Sequence, residues 1–515
     1  MRAVIAAALA SAALLWGASP SVGAGWLVWI ALVPAAAVAL AAPGRAGRLA
    51  VPLAYAVYLE LLFVPALPFG LADGLWGDPV VPILVGGSPV LVVALVLIPL
   101  LGCALYLADF GRPWPRRRLG RRMEAVVLML APALAWAALE VVRVKFDPGG
   151  PWGAVYLSQA ELGSGSLGRL AGPWLITVAI VAVNYGLALA LVRGRAAPAL
   201  AAAVVAIFAF TGVQAGADQP EDSVVVAAVQ PGYHTSEEDR AVLRNFEPGS
   251  HDRAALDLIG DLGTLTRQAH ARGAELVLWP EATMYVDPRA EPQVRRALLR
   301  LAGRAGATLV VPYFLRDARR SEALAVVPAV EGAGRLTGEL SPGRAKQRAS
   351  WFLGERGGGY SAATPLDAGG LRLGLLPGLD AQDPALPARL AGRDAELLLT
   401  PTHDWPALAV QQRAAALLAA RTVRLPLVRA DWRHGSAIYG ADGETLADAG
   451  TELRRTVLLT ELAPGPGGTS YAATGDALAW ILLVLGGLAI LSAHARPSAA
   501  LRRNARRGAR ASRPV

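Results

Sequence analysis

Cysteine is almost missing from this chain: there is one, Cys103, among 515 residues. A single thiol excludes an internal disulfide and any cysteine-built metal cluster. Its place inside a long apolar run makes it a small packing residue. Histidine is sparse as well. His234, His251, His270, His403, His434 and His494 are scattered without metal-ligand spacing, so no metal site and no cofactor are expected. Lysine is scarcer still: Lys145 and Lys346 stand alone in a chain that otherwise uses arginine, and each asks for a reason. Zinc-finger spacings and aromatic RNA-binding signatures are also lacking, which argues against reading the net charge of +9 as nucleic-acid binding.

What is abundant is apolar. Hydrophobic residues make up 54% of the chain and mean hydropathy is +0.41, too apolar for a soluble protein of this size. Runs long enough to cross a bilayer lie near 3–19, 25–42, 49–71, 80–108, 124–143, 170–192, 197–216 and 476–493. Arginines cluster in alternate loops: Arg45 and Arg48, then Arg112 to Arg122, then Arg193 and Arg195, then the tail from Arg496 to Arg513. The positive-inside rule therefore predicts eight spans, both termini cytoplasmic, and residues 217–475 outside. The first run also resembles a secretory signal, with a small-residue site near Ala24. A retained helix is the favoured reading, and cleavage would leave the topology unchanged. Glu60, inside the third run, is either a functional intramembrane acid or a hydrogen-bonding group between helices.

The expected organisation is a membrane domain over 1–216, an external domain over 217–475, a last helix over 476–493 and a basic tail over 494–515. The tail is of low complexity and suits contact with anionic lipid. The 217–475 segment reads as α/β. Short apolar strands recur at Val224–Val229, Leu276–Trp279, Leu309–Pro312, Leu373–Leu376, Leu397–Leu399, Leu425–Val428 and Val457–Leu459. Between them lie helix-periodic stretches such as Ala254–Ala271, where Leu256, Ile259 and Leu262 recur on one face.

Three segments carry chemistry. Ala227 to Gly232 (AAVQPG) is a strand running into a turn. Leu276 to Ala282 (LVLWPEA) sets Glu281 at the end of a buried strand. Lys346 is followed by Trp351-Phe352-Leu353-Gly354-Glu355. The second segment resembles the WPE element of the nitrilase (carbon–nitrogen hydrolase) superfamily, and the third resembles its lysine plus PFGE element, without the proline and with one residue more between lysine and glutamate. Taken with the apolar runs, the chain resembles the apolipoprotein N-acyltransferase family over nearly its whole length. Trp136, Glu140 and Arg143, the loop from Phe146 to Gln159, Thr402-His403-Asp404-Trp405, Arg421 to Arg429, Gly435-Ser436-Ala437 and Asp442-Gly443 match further family elements. The resemblance implies a multi-pass helical bundle in a bacterial-type cytoplasmic membrane, with an α-β-β-α nitrilase-like sandwich on its outer face. It also implies phospholipid and lipoprotein as partners, Glu281 as general base, Lys346 as oxyanion stabiliser and Glu355 as an assisting acid.

Family chemistry proceeds through a cysteine thioester. Gly374, Asp380 and Pro384 match the register of the family's nucleophile stretch, and that register puts Gly378 in the cysteine position. Glycine cannot be acylated, and the neighbours Leu376, Pro377 and Leu379 are not nucleophiles either. Two readings follow. In the first, the chain is a degenerate acyltransferase relative that binds lipid or lipoprotein or assists a partner. In the second, it is a working acyltransferase or amidase with displaced chemistry, using Asp380 or an activated water. A transporter is a third, weaker alternative.

Overall fold

The computed structural model describes residues 1–42, 46–63, 121–146, 150–194, 223–233, 251–331, 335–348, 355–358, 363–404 and 406–494, together with 198, 201, 203 and 205. The fourth apolar run, most of the seventh, the end of the third, Cys103, His234, Trp351 to Gly354, Trp405 and the basic tail lie outside these residues.

The apolar runs fold as helices Arg2–Ala18, Val28–Ala31, Val33–Ala41, Ala50–Phe63, Arg121–Phe146, Pro173–Arg193 and Ala477–His494. Among the described residues, Met123–Phe146 and Pro173–Arg193 are long and apolar enough to cross a membrane, by length and composition. Arg2–Ala18, Gly25–Ala41 and Ala477–Leu488 are shorter. The second run is broken where the sequence suggested one helix. Pro34 lies in the first turn of Val33–Ala41, and proline cannot continue the ladder of a preceding turn. The break is filled from a neighbouring helix: Leu32 N–H donates to Asn184 Oδ1 at 2.8 Å, and the Asn184 amide donates to Val28 O at 2.9 Å. Glu60 is half-buried on Ala50–Phe63.

The Trp136, Glu140 and Arg143 set organises the loop that follows its helix. Glu140 accepts from Trp136 Nε1 at 3.2 Å, Thr177 Oγ1 at 2.5 Å and the Val155 N–H at 2.8 Å. Arg143 donates to Tyr55 Oη and to Trp152 O, each at 2.5 Å. A buried acid and a buried guanidinium thus satisfy each other's surroundings and fix residues 152–155 against three helices.

The α/β segment consists of two sheets face to face. The first has strand order β13-β1-β2-β3-β4-β5, with β6 paired to β4: β1 Val224–Gln230, β2 Leu276–Leu278, β3 Thr308–Leu315, β4 Arg320–Glu331, β5 Arg335–Leu340, β6 Arg344–Ala345 and β13 Thr456–Leu462. The second runs β12-β11-β10-β9-β8-β7: β7 Leu366–Ala368, β8 Leu371–Leu375, β9 Leu397–Thr402, β10 Leu427–Asp431, β11 Ala437–Tyr439 and β12 Thr445–Asp448. Strands β1, β2 and β3 are parallel, as are β8, β9 and β10. Alternation along each strand sorts the side chains. Val226, Ala228, Leu276, Leu278 and Val310 meet Leu373, Leu375, Leu397, Leu399 and Val428 between the sheets. Ala227, Val229, Val277, Leu309 and Val311 face outward onto helices His251–Ala271 and Pro292–Ala305. Helices Ala385–Ala391 and Pro406–Val423 cover the other sheet, and their apolar core is continuous with that of the helical bundle. The result is an α-β-β-α sandwich that shares one side's core with the apolar helices.

Candidate active site

The site lies beyond the C-terminal ends of β2 and β8, where side chains of parallel strands emerge from an α/β core. Strand β2 leads through buried Trp279, whose indole donates to Thr266 Oγ1 at 3.0 Å. Pro280 and Glu281 follow, and the chain then turns at Ala282, which has a left-handed φ of 52°. A non-glycine residue held there costs about 1–2 kcal/mol and persists only where its surroundings fix it. They do: Glu281 N–H donates to Thr402 O at 3.4 Å, and Trp432 Nε1 donates to Glu281 O at 2.6 Å.

Lys346 reaches this acid from the segment after β6. Its Nζ donates to Glu281 Oε1 and to Glu355 Oε2, each at 2.9 Å. The three side chains are nearly closed to solvent, at 4%, 9% and 5% exposure. The structure thus brings Glu281, Lys346 and Glu355 into one cluster. Burial raises the Glu281 carboxyl above the usual carboxylate range, with Glu355 adding to the rise, while Lys346 and a hydrogen bond from Ser321 oppose it. Burial disfavours the charged Lys346, but the two glutamates outweigh it, so the ammonium is held above its ordinary range.

Gly378 abuts the same cluster. It follows β8, opens the 3-10 turn Gly378–Gln382 and has φ +50°. Strand, left-handed residue and helical turn together make the geometry that presents a nucleophile in elbow-type active sites. Gly378 has no side chain, and the space one would take is filled. A Cβ placed on Gly378 would lie 2.8 Å from Glu281 Oε1, 2.9 Å from Cδ, and closer still to Oε2. The Glu281 carboxylate therefore occupies the start of the path that a nucleophilic side chain would take.

Asp380, two residues on, is fully buried, and both of its oxygens are engaged. Oδ2 accepts the Gln347 N–H at 2.8 Å and Oδ1 accepts the Arg348 N–H at 2.7 Å. Burial pushes its carboxyl up to about 7, against the pull of those two donors and of Lys346 and Arg348. A carboxylate spread over two consecutive backbone N–H groups is arranged to hold a loop, here the one that carries Lys346.

Motif reading alone did not reach Ser321, Ala282 or Trp432. Ser321 and Trp432 lie outside the matched motifs, and a backbone turn leaves no signature in residue type. Thr402 was within a matched element, but its part, a backbone carbonyl facing Glu281, is not encoded by its side chain. Among the described residues no group of three or more His, Cys, Asp and Glu side chains is placed to hold a metal ion.

No family model matches the chain. Solved structures similar to it include a carbon–nitrogen hydrolase from Helicobacter pylori G27, at 17% identity and a TM-score of 0.37, covering 47% of this chain and 89% of that one. Saccharomyces cerevisiae Nit3, a member of branch 10 of the nitrilase superfamily, is similar at 14% identity and a TM-score of 0.37, covering 47% and 90%. An amidase from a Nesterenkonia species is similar at 22% identity and a TM-score of 0.34, covering 47% and 90%. The likeness is one of fold, over about half of this chain and nearly all of each of the others.

Proposed function

We propose that this chain is a membrane-embedded relative of the apolipoprotein N-acyltransferases that binds phospholipid or the acylated end of a lipoprotein without forming a thioester. The observation that carries the reading is Gly378 beside Glu281 and Lys346: base and cation are in place, and the acyl-accepting atom is not. In a covalent acyl transfer the nucleophile forms the bond on which every later step depends, and electrostatic groups alone do not replace it. Two long apolar helices support membrane embedding. So do the outward faces of the bundle, where Ile5, Leu9, Met123, Val126, Leu130, Ile481, Val484 and Leu488 are exposed. Exposed Trp16, Trp26 and Trp480 lie at the helix ends that the arginine pattern assigns to the outer surface, as interfacial rings do. This reading puts the sandwich on the outer face of a multi-pass bundle.

The experiment is reconstitution of the full chain in phospholipid vesicles with a fluorescent diacylated peptide bearing a free N-terminal amine. Saturable binding with no growth of a triacylated product is the expected result. Steady formation of the N-acyl peptide would overturn the reading in favour of displaced chemistry.

A further inference from the structure

Only two lysines exist in the chain: Lys346 is buried against Glu281 and Glu355, and Lys145 is nearly closed to solvent against Asp383. Lys346 belongs to the cluster already described. Lys145 lies one residue from the end of helix Arg121–Phe146, and its Nζ donates to Asp383 Oδ1 at 2.8 Å. The same ammonium is paired with Asp476, at the start of the last helix. Asp476 in turn accepts from Tyr471 Oη at 2.8 Å and Trp174 Nε1 at 3.2 Å. The side chains of Lys145, Asp383 and Asp476 are 9%, 0% and 8% exposed.

We propose that Lys145 is a positioning residue: it pins the Gly378–Asp383 turn to the ends of the apolar helices and thereby fixes the cleft. The path is continuous. Asp383 closes the turn that Gly378 opens, with its N–H donating to Asp380 O at 3.2 Å. It also accepts the Ala385 N–H at 3.0 Å and lies 3.7 Å from Arg348 Nη1. Asp380, inside the turn, holds the N–H groups of Gln347 and Arg348, directly after Lys346. The ends of three apolar helices, through Lys145, Trp174 and Asp476, are thus connected by ion pairs and hydrogen bonds to the Gly378 turn and to the segment that follows Lys346. A change in how those helices pack would be felt at Gly378 and Lys346 through Asp383. Loss of either acid would leave part of the Lys145 charge uncompensated in a nearly closed site.

The inference rests on reading the Gly378 cleft as the working site, but its test reads geometry and does not require that anything bind there. Hydrogen–deuterium exchange is measured on the full chain in lipid nanodiscs, for the wild type and for Lys145→Met and Lys145→Arg. The expected result for Lys145→Met is exchange faster by at least about tenfold in peptides spanning 345–348 and 378–383, with the β1–β13 pairing as protected as in the wild type. Lys145→Arg, which keeps the cation, restores most of the protection. Unchanged exchange in the two peptides, or an equal rise across the whole sandwich, would overturn the proposal. If Lys145→Met fails to fold, Asp476→Asn is the second variant. It weakens one anchor of Lys145 and leaves Asp383 intact, and the same local pattern is expected at smaller amplitude.

Discussion

Two buried ionic clusters of similar make-up stand side by side in the sandwich, and they differ in what their carboxylates touch. Around Lys346 sit Glu281 and Glu355. Around Arg429 sit Asp404, in direct contact, and Asp431 at 3.8 Å. Each sets a cation against two acids, and the second adds His434, 3.5 Å from Asp431. Asp431 is saturated: its oxygens accept from Thr402 Oγ1 at 2.8 Å and from the N–H groups of Asp404, Arg433 and His434 at 3.0, 3.0 and 3.2 Å. Burial works against its charge, but His434, Arg429 and the Arg433 N–H prevail and hold the carboxyl below its usual range. Glu281 has its backbone fixed on both sides, but its carboxylate is held by the side chains of Lys346 and Ser321, and burial raises it. Four donors and the neighbouring Arg429 and His434 hold Asp431 charged, whereas burial prevails at Glu281, held by side chains, and at Asp380, which has only two backbone donors. The two clusters are joined, since Thr402 serves Asp431 with its hydroxyl and Glu281 with its carbonyl.

The difference between the clusters is open to direct attack. Arg429→Met strips the saturated cluster of its cation, and a destabilisation of about 3–5 kcal/mol is expected from the two acids left buried. Thermal unfolding in detergent, followed by the signal of the sandwich, measures it. Gly378→Ala tests the slot itself. A side chain at φ +50° against the Glu281 carboxylate should cost about 1–3 kcal/mol, and Glu281→Gln in the same chain should not relieve the backbone part. Glu281→Gln alone should cost only about 1 kcal/mol, because the amide oxygen can still accept from Lys346, which stays paired with Glu355. Asp431→Asn, which unsettles an acid held charged, should cost more. If the two substitutions prove equal, the distinction between the clusters fails.

A pH series sharpens the same contrast. Asp380 has its folded pKa raised to about 7 from an unfolded value of ~3.9, so its contribution is fully present below pH ~4 and lost as pH rises through about 7. Glu281 is raised too and acts in the same direction. Asp431 is lowered, so its contribution is present above pH ~4 and lost as pH falls through its folded value. Stability measured between pH 4 and pH 8 should fall less steeply in Asp380→Asn than in the wild type. An unchanged slope would show that Asp380 does not carry the effect.

Much of this architecture was legible in the chain. Apolar runs located β1, β2, β3, β8, β9 and β13 to within a few residues, because the buried stretches of these strands are rich in Val, Leu and Ala. Strand β4 was not read, although Ala323 to Val327 is apolar. Pro328 interrupts that run, and proline speaks against an inner strand. The structure resolves the conflict: pairing with β3 ends at Val326, so Pro328 faces only β5, opposite Gly338. Leu425, read as the start of β10, instead precedes a strand that begins at Leu427, because Arg424 adopts a left-handed φ of 57° and Pro426 follows. At the site, Glu281, Lys346, Glu355 and Gly378 were legible because each is tied to a local motif. The Asp431 cluster and the Lys145–Asp383 tie were not. Lys145 and Asp383 are 238 residues apart, and Asp431 meets Thr402 and Asp404 only through the fold; the one hint was the rarity of lysine.

On the proposed reading, Glu281 and Lys346 stand beside Gly378 with no side-chain nucleophile there to acylate. Intact-mass analysis of the purified full chain after incubation with acyl-labelled phospholipid tests it most directly. The account predicts an unmodified wild-type mass at every time point. A labelled acyl adduct on the wild-type chain, mapped by digestion to a residue lining the Glu281–Lys346 cleft, would contradict it.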